Sequence, residues 1–328
     1  MFFKNKKDKG VNNSNSNSMI KSENKIMPKM FEWLKKSDKY KDDSKNEPQH
    51  LHVVPETKNI FPSNFYKYLF KKNPTYTIYT QKGLPLQFET INLKNLDQRT
   101  VWEQRIDIKY VANVSELDSL LQKMSTEYLI LEHKGKCVCD YTSEYMETVD
   151  RSMFYAHQLD NFYRYKVRKR RYGSEDGFWL EVKEIKDGSL RKHRIFNPSS
   201  NDIETFIRTK THYESSDLTS VIFIYYERMT FTHKTLPLKI TVDKNLKVKK
   251  NGSDLVLFND LMIIEAKSRK NEAASIQRII GSKHIKPCSV SKYCIGMATL
   301  YPELKVDASK PGLSNIKKIS KNITYIKI

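Results

Sequence analysis

Residues 163–172 read YRYKVRKRRY, and their alternating pattern is the clearest indication of the fold. Successive side chains of a β-strand point to opposite faces of a sheet, so residues two positions apart share a face. Lys166, Arg168, Arg170 and Tyr172 therefore lie together on one face. The alternation predicts a β-strand with one strongly basic face.

The same pattern recurs in further stretches from about residue 101 onward, each with β-branched and aromatic residues. The residues that share a charged face are Arg105, Asp107 and Lys109 in RIDIKYV; Glu181 and Lys183 in WLEVKEI; Lys192 and Arg194 in LRKHRIF; Tyr226 and Arg228 in YYERMTF; Lys239, Thr241 and Asp243 in PLKITVD; and Glu265 and Lys267 in LMIIEAKS. Short turns such as Lys186-Asp187-Gly188 and Asn251-Gly252 are typical of hairpins. The chain therefore predicts an antiparallel sheet with a few helices.

Two arrangements of such strands are consistent with this pattern, a solvated sheet and a closed barrel. For one strand, the simplest explanation is a solvated sheet with its polar face in water. So many charged faces in one chain favour a closed barrel, in which the apolar faces pack under outer helices and the charged faces line the interior. A charged interior is stable only if water or a charged ligand with metal ions fills it. The prediction is an α+β fold: an antiparallel β-barrel tunnel with flanking helices.

Lysine and arginine clusters with one or two carboxylates are what a polyphosphate chain with a divalent cation requires. Guanidinium groups grip phosphate oxygens in pairs, and carboxylates hold the metal. The net charge supports an anionic partner, because 58 Lys+Arg against 38 Asp+Glu give +20 over 328 residues.

Three helices are predicted between the strands. SELDSLLQKM has Ser115 as its N-cap and places Leu117, Leu120, Leu121 and Met124 on one face. NDIETFIRTK is the second helix, and NEAASIQRIIGSK is the third, ending near Gly281.

The domain organisation follows from composition. Residues 1–50 are rich in Asn, Ser and charge, which predicts a disordered polar tail. Residues 51–100 form an N-terminal extension, in which FPSNFYKYLFKK reads as a helix and TYTIYT as a strand. Residues 101–328 form the tunnel domain. The four cysteines form no CxxC pair, and neither a secretory signal nor an apolar run of ~20 residues is present, so we expect a cytoplasmic protein.

Several stretches resemble the vacuolar transporter chaperone (VTC) domain, a polyphosphate polymerase of the triphosphate tunnel metalloenzyme (CYTH-like) superfamily. They fall in the family order over about residues 101 to 300, and the most specific are KVRKR, LEVK, YER, IEAK and SKY. The resemblance implies a phosphotransferase that polymerises the γ-phosphate of ATP into inorganic polyphosphate with Mn²⁺ or Mg²⁺.

The resemblance also implies roles for individual residues. The catalytic cations would be Arg168, Arg170, Arg228 and Lys292, the phosphate-binding cations Lys109, Lys183, Lys192, Lys239 and Lys267, and the metal ligand Glu265. The chain departs from the family at Lys239, where arginine is usual, and at Asp107, where glutamate is common in related tunnel enzymes. The implied partners are ATP and inorganic polyphosphate, with no specific nucleic acid, and association with the membrane through a partner is left open.

Other interpretations of these residues stay open. The protein could be a triphosphatase, with water as the nucleophile, or a non-catalytic tunnel that only binds polyphosphate. A metal-dependent nuclease would use Asp254 or Asp260 with Glu265 and Lys267. Glu181 and Lys183 could form a surface salt bridge, and Asp243 could cap a turn with Asn245 rather than serve the site.

Overall fold

The computed structural model describes residues 74–327 apart from 101–105, 174, 251, 253–254, 270–271, 281–284 and 305–310. The predicted tail, the FPSNFYKYLFKK segment, Arg105, Asp254 and Gly281 lie outside these residues. TYTIYT forms a strand, as predicted.

The described residues fold into a mixed α+β structure. The strands are β1 Thr75–Tyr79, β2 Pro85–Ile91, β3 Ile106–Asn113, β4 Tyr128–Leu131, β5 Cys139–Glu147, β6 Tyr163–Tyr172, β7 Trp179–Lys186, β8 Ser189–Phe196, β9 Thr219–His233, β10 Leu238–Lys250, β11 Leu255–Phe258, β12 Leu261–Ser268 and β13 Ile323–Ile326. The helices are α1 Leu93–Thr100, α2 Leu117–Met124, α3 Ser152–Gln158, α4 Ser200–Lys210, α5 Ala273–Ile280, α6 Lys292–Leu300 and α7 Pro311–Ile319.

All strands belong to one sheet, organised around the long strand β9. One edge of β9 pairs with β5 and then β4, and the other pairs with β10. From β5 the sheet continues through β6 and β7 to β8, and from β10 through β12 to β3. The described pairings are antiparallel except for that of β2 with β4, which joins β1 and β2 to the sheet. This order brings strands distant in sequence side by side.

The register places the predicted charged faces on one side of the sheet, which we call the inner face. Residues that pair directly on neighbouring strands share a face. Across the inner face, the register pairs Lys109 with Glu265, Glu265 with Thr241, Asp243 with Arg228, Tyr226 with Tyr141, Tyr141 with Tyr172, Arg168 with Glu181, and Lys183 with Lys192.

The sheet curls until its two ends face each other. Lys183 on β7 interacts electrostatically with Glu265 on β12 and Lys109 on β3, although many strands separate them in the sheet. We call the enclosed space the lumen. The predicted tunnel fold is therefore confirmed.

The wall of the lumen differs from a fully hydrogen-bonded barrel. Among the described residues no pairing joins β3 to β8. The free edge of β3 instead receives a hydrogen bond from the Cys288 amide to the Lys109 carbonyl, at 2.8 Å, beside a bridge between Tyr110 and Pro287. The segment that leads into α6 thus forms the wall beside β3.

Helices cover the outer face, as predicted. Helices α2 and α5 pack on outer residues of β9, β10 and β12 that include Phe231, Ile240 and Val242. Helix α4 contributes Ile207 to a second cluster with Val167 of β6, and that cluster also contains residues of β7. Apolar burial under the helices leaves the opposite face of the same strands free to carry charge.

The described helices differ from the prediction in number and in one cap. The predicted face of α2 is buried, but the helix begins at Leu117 and Ser115 is not its N-cap. Ser115 lies in a 3₁₀ turn, where its amide donates to the Asn113 side chain at 2.9 Å. Helix α4 begins at Ser200, one residue before the predicted stretch, because Ser199 and Asp202 form a capping box.

Several elements were missed by the sequence pattern. The prediction contained neither strand β5 nor helices α3, α6 and α7, and it split β10 into two strands. Strand β10 is continuous across a register shift between Lys244 and Lys247, where Asn245 has a φ of 54°. Within the described part of the chain, every helix is too short or too polar to cross a lipid bilayer.

Candidate functional site

The structure brings all the predicted site residues to the lumen. Most lie on inner-face positions of their strands, from Lys109 on β3 round to Lys192 on β8. Lys239 and Lys267 pair with each other across β10 and β12. Lys292 is at the start of α6 and contacts Asp243 on the inner face. Their roles in catalysis and binding stay predictions.

Glu181 holds two of the predicted cations. Its side chain is only 1% exposed, and it accepts from Arg168 Nε at 2.7 Å and from Arg168 Nη2 at 2.5 Å. Lys192 Nζ lies 2.6 Å from the other carboxylate oxygen. Burial by itself raises the pKa of Glu181, but Arg168, with further help from Lys192, outweighs burial and lowers it to about 2. The alternative of a surface salt bridge between Glu181 and Lys183 is wrong, because Glu181 is buried and bound to Arg168.

Asp243 holds two further predicted cations, Arg228 and Lys292. Arg228 donates from Nε to Asp243 Oδ1 at 2.5 Å and from Nη2 to Oδ2 at 2.7 Å, and Lys292 Nζ donates to Oδ2. Burial by itself raises the pKa of Asp243. Arg228 and Lys292 lower the pKa by more than burial raises it, so the pKa lies below its usual value. The interpretation of Asp243 as a turn cap is wrong, because Asn245 donates instead to Glu227 and Asp243 is buried at the site.

Arg170 is held by neutral groups. Its Nε and Nη2 donate to Ser143 Oγ at 3.1 Å, and Nη2 also donates to Tyr226 Oη at 3.1 Å. Its guanidinium lies 5.5 Å from the centroid of the Tyr141 ring, and that of Arg228 lies 4.9 Å from the same ring. Aromatic rings stabilise both cations without neutralising them. The charge of Arg170 therefore remains for an anionic ligand, whereas that of Arg228 is paired with Asp243.

Strand β5 supplies side chains that the sequence reading missed. Tyr141, Ser143 and Tyr145 alternate along this strand and face the lumen, where Tyr145 Oη accepts from Arg168 Nη1 at 3.0 Å. The period-2 spacing of these residues was a usable signal, but they carry no charge, and the prediction was guided by charged faces. Lys166 was placed on the correct face but given no role, and it donates to Ser291 Oγ at 3.2 Å.

Glu265 lies among cations. Lys267 Nζ donates to Glu265 Oε1 at 2.7 Å and to Asp107 Oδ2 at 2.6 Å, so the Asp107 position is part of this cluster. Burial raises the pKa of Glu265, but Lys267 and then Lys109 lower it far more, and the carboxylate is ionised. On the far wall, burial and then Arg168 and Lys166 lower the pKa of Lys183 to about 7.

This donor set fits a metal held jointly with a substrate. Among the described residues no group of three histidine, cysteine or acidic side chains is arranged to bind a metal. Glu181 and Asp243 are each bound to two cations, which leaves Glu265, beside Asp107, as the carboxylate for this purpose. Mg²⁺ is commonly bound by one or two carboxylates with the remaining positions filled by water and substrate phosphates.

Helix α6 covers the inner face at the far ends of β9, β10 and β12. There the inner face changes from charged to apolar, and residues such as Ile222, Val248 and Ile263 form a buried cluster with Ile295 and Met297 of the helix. A Cβ atom on Gly296 would lie 2.9 Å from Ile222 Cδ1, so the helix packs closely on the sheet. The charged part of the lumen is therefore bounded by α6 on this side.

The curled sheet and its charged inner face define a tunnel protein whose interior carries an excess of cations. The VTC domain family model matches residues 104–301, more than half of the sequence, and the chain belongs to this family. No curated protein matches it.

Solved structures resemble the chain at low identity. HpAC1 of Hippeastrum, an adenylyl cyclase candidate described as having a dominant triphosphatase activity, is 12% identical over 60% of this chain and 96% of its own, with a TM-score of 0.41. A candidate adenylate cyclase of Vibrio parahaemolyticus is 12% identical over 60% and 99%, with a TM-score of 0.37. Protein PH1819 of Pyrococcus horikoshii is 14% identical over 60% and 98%, also with a TM-score of 0.37. At these values the likeness supports no inference about activity.

Proposed function

We propose that this protein is a polyphosphate polymerase that transfers the γ-phosphate of ATP to a growing inorganic polyphosphate chain inside the lumen. The observation that carries the proposal is the excess of cations over carboxylates on one continuous inner face, with Arg168, Arg170 and Arg228, all largely buried, at its centre. Uncompensated buried charge is costly. A bound polyanion is the ligand that would compensate it along the whole face.

Phosphoryl transfer asks the protein for positioning and charge stabilisation rather than for a covalent nucleophile. A terminal oxygen of the growing chain attacks the γ-phosphorus in line, the bond to the β–γ bridging oxygen breaks, and ADP leaves. Arg168 and Arg170 are two residues apart on β6, a rise of ~7 Å, which lets them grip separate phosphates. Glu181 and Asp243 fix the orientation of Arg168 and Arg228, so these guanidinium groups need little rearrangement.

The proposed reaction also uses a divalent metal ion. Glu265 would hold Mn²⁺ or Mg²⁺ together with phosphate oxygens, and Asp107 is the second carboxylate within its cluster. When bound, the cation neutralises charge on the transferring phosphoryl group. Lys109, Lys183, Lys192, Lys239 and Lys267 would bind the remaining phosphates, and Lys292, fixed by Asp243, would approach the transferring group.

The test is incubation of the purified full chain with ATP and Mn²⁺, followed by gel analysis for polymer and by assay of free phosphate. Glu265→Gln should abolish polymer formation with the fold intact, because a neutral amide is a poor ligand for a hard cation. Arg168→Ala/Arg170→Ala should abolish it too. The matched control is Lys169→Ala/Arg171→Ala, which removes two cations from the opposite face of the same strand. Equal loss in both double variants would overturn the proposal.

Helix α6 favours a second candidate, a triphosphatase. Because α6 covers the inner face at one end of the strands, a short product leaves such a lumen more readily than a long polymer. Free phosphate without polymer in the same assay would decide for the triphosphatase. Neither product, together with polyphosphate binding, would point to a non-catalytic tunnel.

The geometry weakens the nuclease alternative. Asp260 is in the turn between β11 and β12, five positions before Glu265 along the chain, which is a distance of ~16 Å in a strand. These side chains are too far apart to share a metal ion. ATP and polyphosphate are therefore the proposed ligands, and association with a membrane-bound partner stays a prediction.

A further inference from the structure

Thr241 has a buried hydroxyl group on the charged part of the inner face. The residue is only 3% exposed, and it lies on β10 between Glu265 of β12 and Thr230 of β9. Among the described residues, none forms a hydrogen bond with Thr241 Oγ1. A buried hydroxyl without a partner costs free energy compared with one that is hydrogen-bonded. The position therefore points to a ligand that this hydroxyl contacts when the site is in use.

Thr232 shows how a threonine with a purely structural role is held on the same face. It lies on β9 and is 1% exposed, and its Oγ1 donates to the Leu238 carbonyl at 3.2 Å. Two threonines of one sheet face, both buried, thus differ in their hydrogen bonding. Within the described part of the chain, the hydroxyl of Thr232 has a partner and that of Thr241 has none. Burial in the sheet alone does not explain Thr241.

The direct neighbours of Glu265 differ in charge. Lys267 Nζ donates to Glu265 Oε1, and Lys109 is the partner of Glu265 on β3. The partner on the other side, on β10, is the neutral Thr241. Directly paired residues have Cβ atoms ~4.5–5.5 Å apart, so a small ligand bound to Glu265 on this side can also contact the Thr241 hydroxyl. A divalent cation meets less repulsion from this side than from the two lysines.

We propose that Thr241 is a further ligand of the divalent cation that Glu265 would hold, with its hydroxyl oxygen bound to the metal ion. The inference rests on the proposed function for the presence of the metal, and it adds a neutral ligand from β10 to which the sequence pattern gave no role. Mg²⁺ and Mn²⁺ prefer oxygen ligands. Phosphate-binding loops of nucleotide hydrolases use a serine or threonine hydroxyl on Mg²⁺ in the same way.

The experiment measures binding of inorganic tripolyphosphate to the full chain by calorimetry, once with Mn²⁺ and once with EDTA. Thr241→Val keeps the branched shape of the side chain and removes the hydroxyl. It should weaken binding with Mn²⁺ at least about tenfold, the lower end of the loss seen when the surroundings of a metal ligand are altered. Binding with EDTA should stay close to that of the wild type. Thr241→Ser should keep most of the Mn²⁺ effect, because it retains the hydroxyl.

Thr232→Val is the matched control, because it makes the same change at a buried position of the same face. Without ligand, its free energy of unfolding should fall, since it loses the hydrogen bond to Leu238. The free energy of unfolding of Thr241→Val should not fall, since its hydroxyl has no partner to lose among the described residues. Binding with Mn²⁺ should weaken only in Thr241→Val, and equal weakening in both valine variants would overturn the inference.

The outcomes separate this inference from the proposed function. A loss in Thr241→Val that is confined to Mn²⁺ supports the metal ligand, even if the wild type makes no polymer. Unchanged binding, or equal weakening with Mn²⁺ and with EDTA, refutes it even if polymer is made, because the hydroxyl then contacts water or phosphate rather than metal.

A third substitution tests the same inference if Thr241→Val fails to fold. Thr241→Cys places a thiol at the position of the hydroxyl, and thiolates are preferred ligands of Zn²⁺ but not of Mn²⁺. The affinity for tripolyphosphate with Zn²⁺ relative to that with Mn²⁺ should therefore rise above the wild-type ratio. An unchanged ratio refutes the inference.

Discussion

Lys183 has an amine that titrates near neutral pH inside the lumen. Burial and the neighbouring Arg168 and Lys166 lower its pKa to about 7. Between pH ~7 and ~10 the unfolded chain binds the proton that the folded chain has released, so without ligand Lys183 makes the stability rise with pH in that window. When a phosphate is bound, Lys183 favours its charged form instead of the neutral amine, because an anion stabilises the positive charge.

Tripolyphosphate affinity should therefore fall as pH rises from 6 to 8, by at most about tenfold per pH unit for one proton. In Lys183→Arg the side chain stays charged at every pH in this range, so the part of the pH dependence of affinity that comes from Lys183 should vanish. The measurement is the ratio of wild-type to Lys183→Arg dissociation constants across the pH range, since ionisation of the ligand itself cancels in the ratio. A ratio that does not change with pH would show that Lys183 is fully charged throughout.

Helix α6 connects the apolar end of the lumen to the predicted catalytic residue Lys292, which is its first residue. Gly296 faces Ile222, Val248 and Ile224, where an added Cβ would come within 2.9, 3.5 and 3.6 Å. An alanine at this position requires only a small shift of the flexible end of Ile222. Valine adds methyl groups that the sheet cannot accommodate, and the helix must move outward.

Gly296→Val should lower the free energy of unfolding by ~1–3 kcal/mol, the usual effect of overpacking, and it should reduce activity by displacing Lys292 from Asp243. Urea unfolding and the ATP assay measure the two effects. Ala298→Val is the control, because it adds a β-branched residue to the same helix at a half-buried position. Unfolding free energies that agree between the two variants would mean that α6 does not pack tightly on the sheet.

The whole molecule should be stabilised by its ligand. Repulsion among the cations of the lumen opposes folding, and a polyanion that binds only the folded chain relieves it. At a concentration 100 times the dissociation constant, one bound ligand contributes ~2.7 kcal/mol. For a domain of this size, each kcal/mol of added stability raises Tm by roughly 2–4 °C.

Thermal unfolding with and without tripolyphosphate measures the effect. The rise in Tm should disappear in Arg168→Ala/Arg170→Ala and persist in Lys169→Ala/Arg171→Ala. The rise in Tm should also become smaller at high salt. This decrease should be weaker than for a ligand bound by surface charges, because the lumen is partly shielded from solvent. An equal rise in both double variants would indicate binding to the outer surface, which the net charge of +20 alone can support.

Much of the fold followed from one local rule. The period-2 charge pattern predicted most strands that form the lumen, and the Asp187-Gly188 turn formed the predicted hairpin between β7 and β8, with positive φ at both residues. Strand β5 was missed because its inner residues are tyrosine and serine rather than charged. Short helices such as α3 and α6 were missed because burial against the sheet, not a clear 3.6-residue pattern, holds them.

The amino-acid sequence alone shows which side chains share a face, because alternation along a strand is a property of the backbone. It therefore placed Arg168 with Arg170 and Glu265 with Lys267. Which carboxylate holds which cation depends on the folded structure: Glu181 binds Arg168 and Lys192, and Asp243 binds Arg228 and Lys292. Arg168 and Glu181, like Arg228 and Asp243, are brought together by the register of consecutive strands. Lys292 lies 49 residues from Asp243 and reaches it only because α6 packs on the inner face. No local pattern encodes the register or the position of this helix.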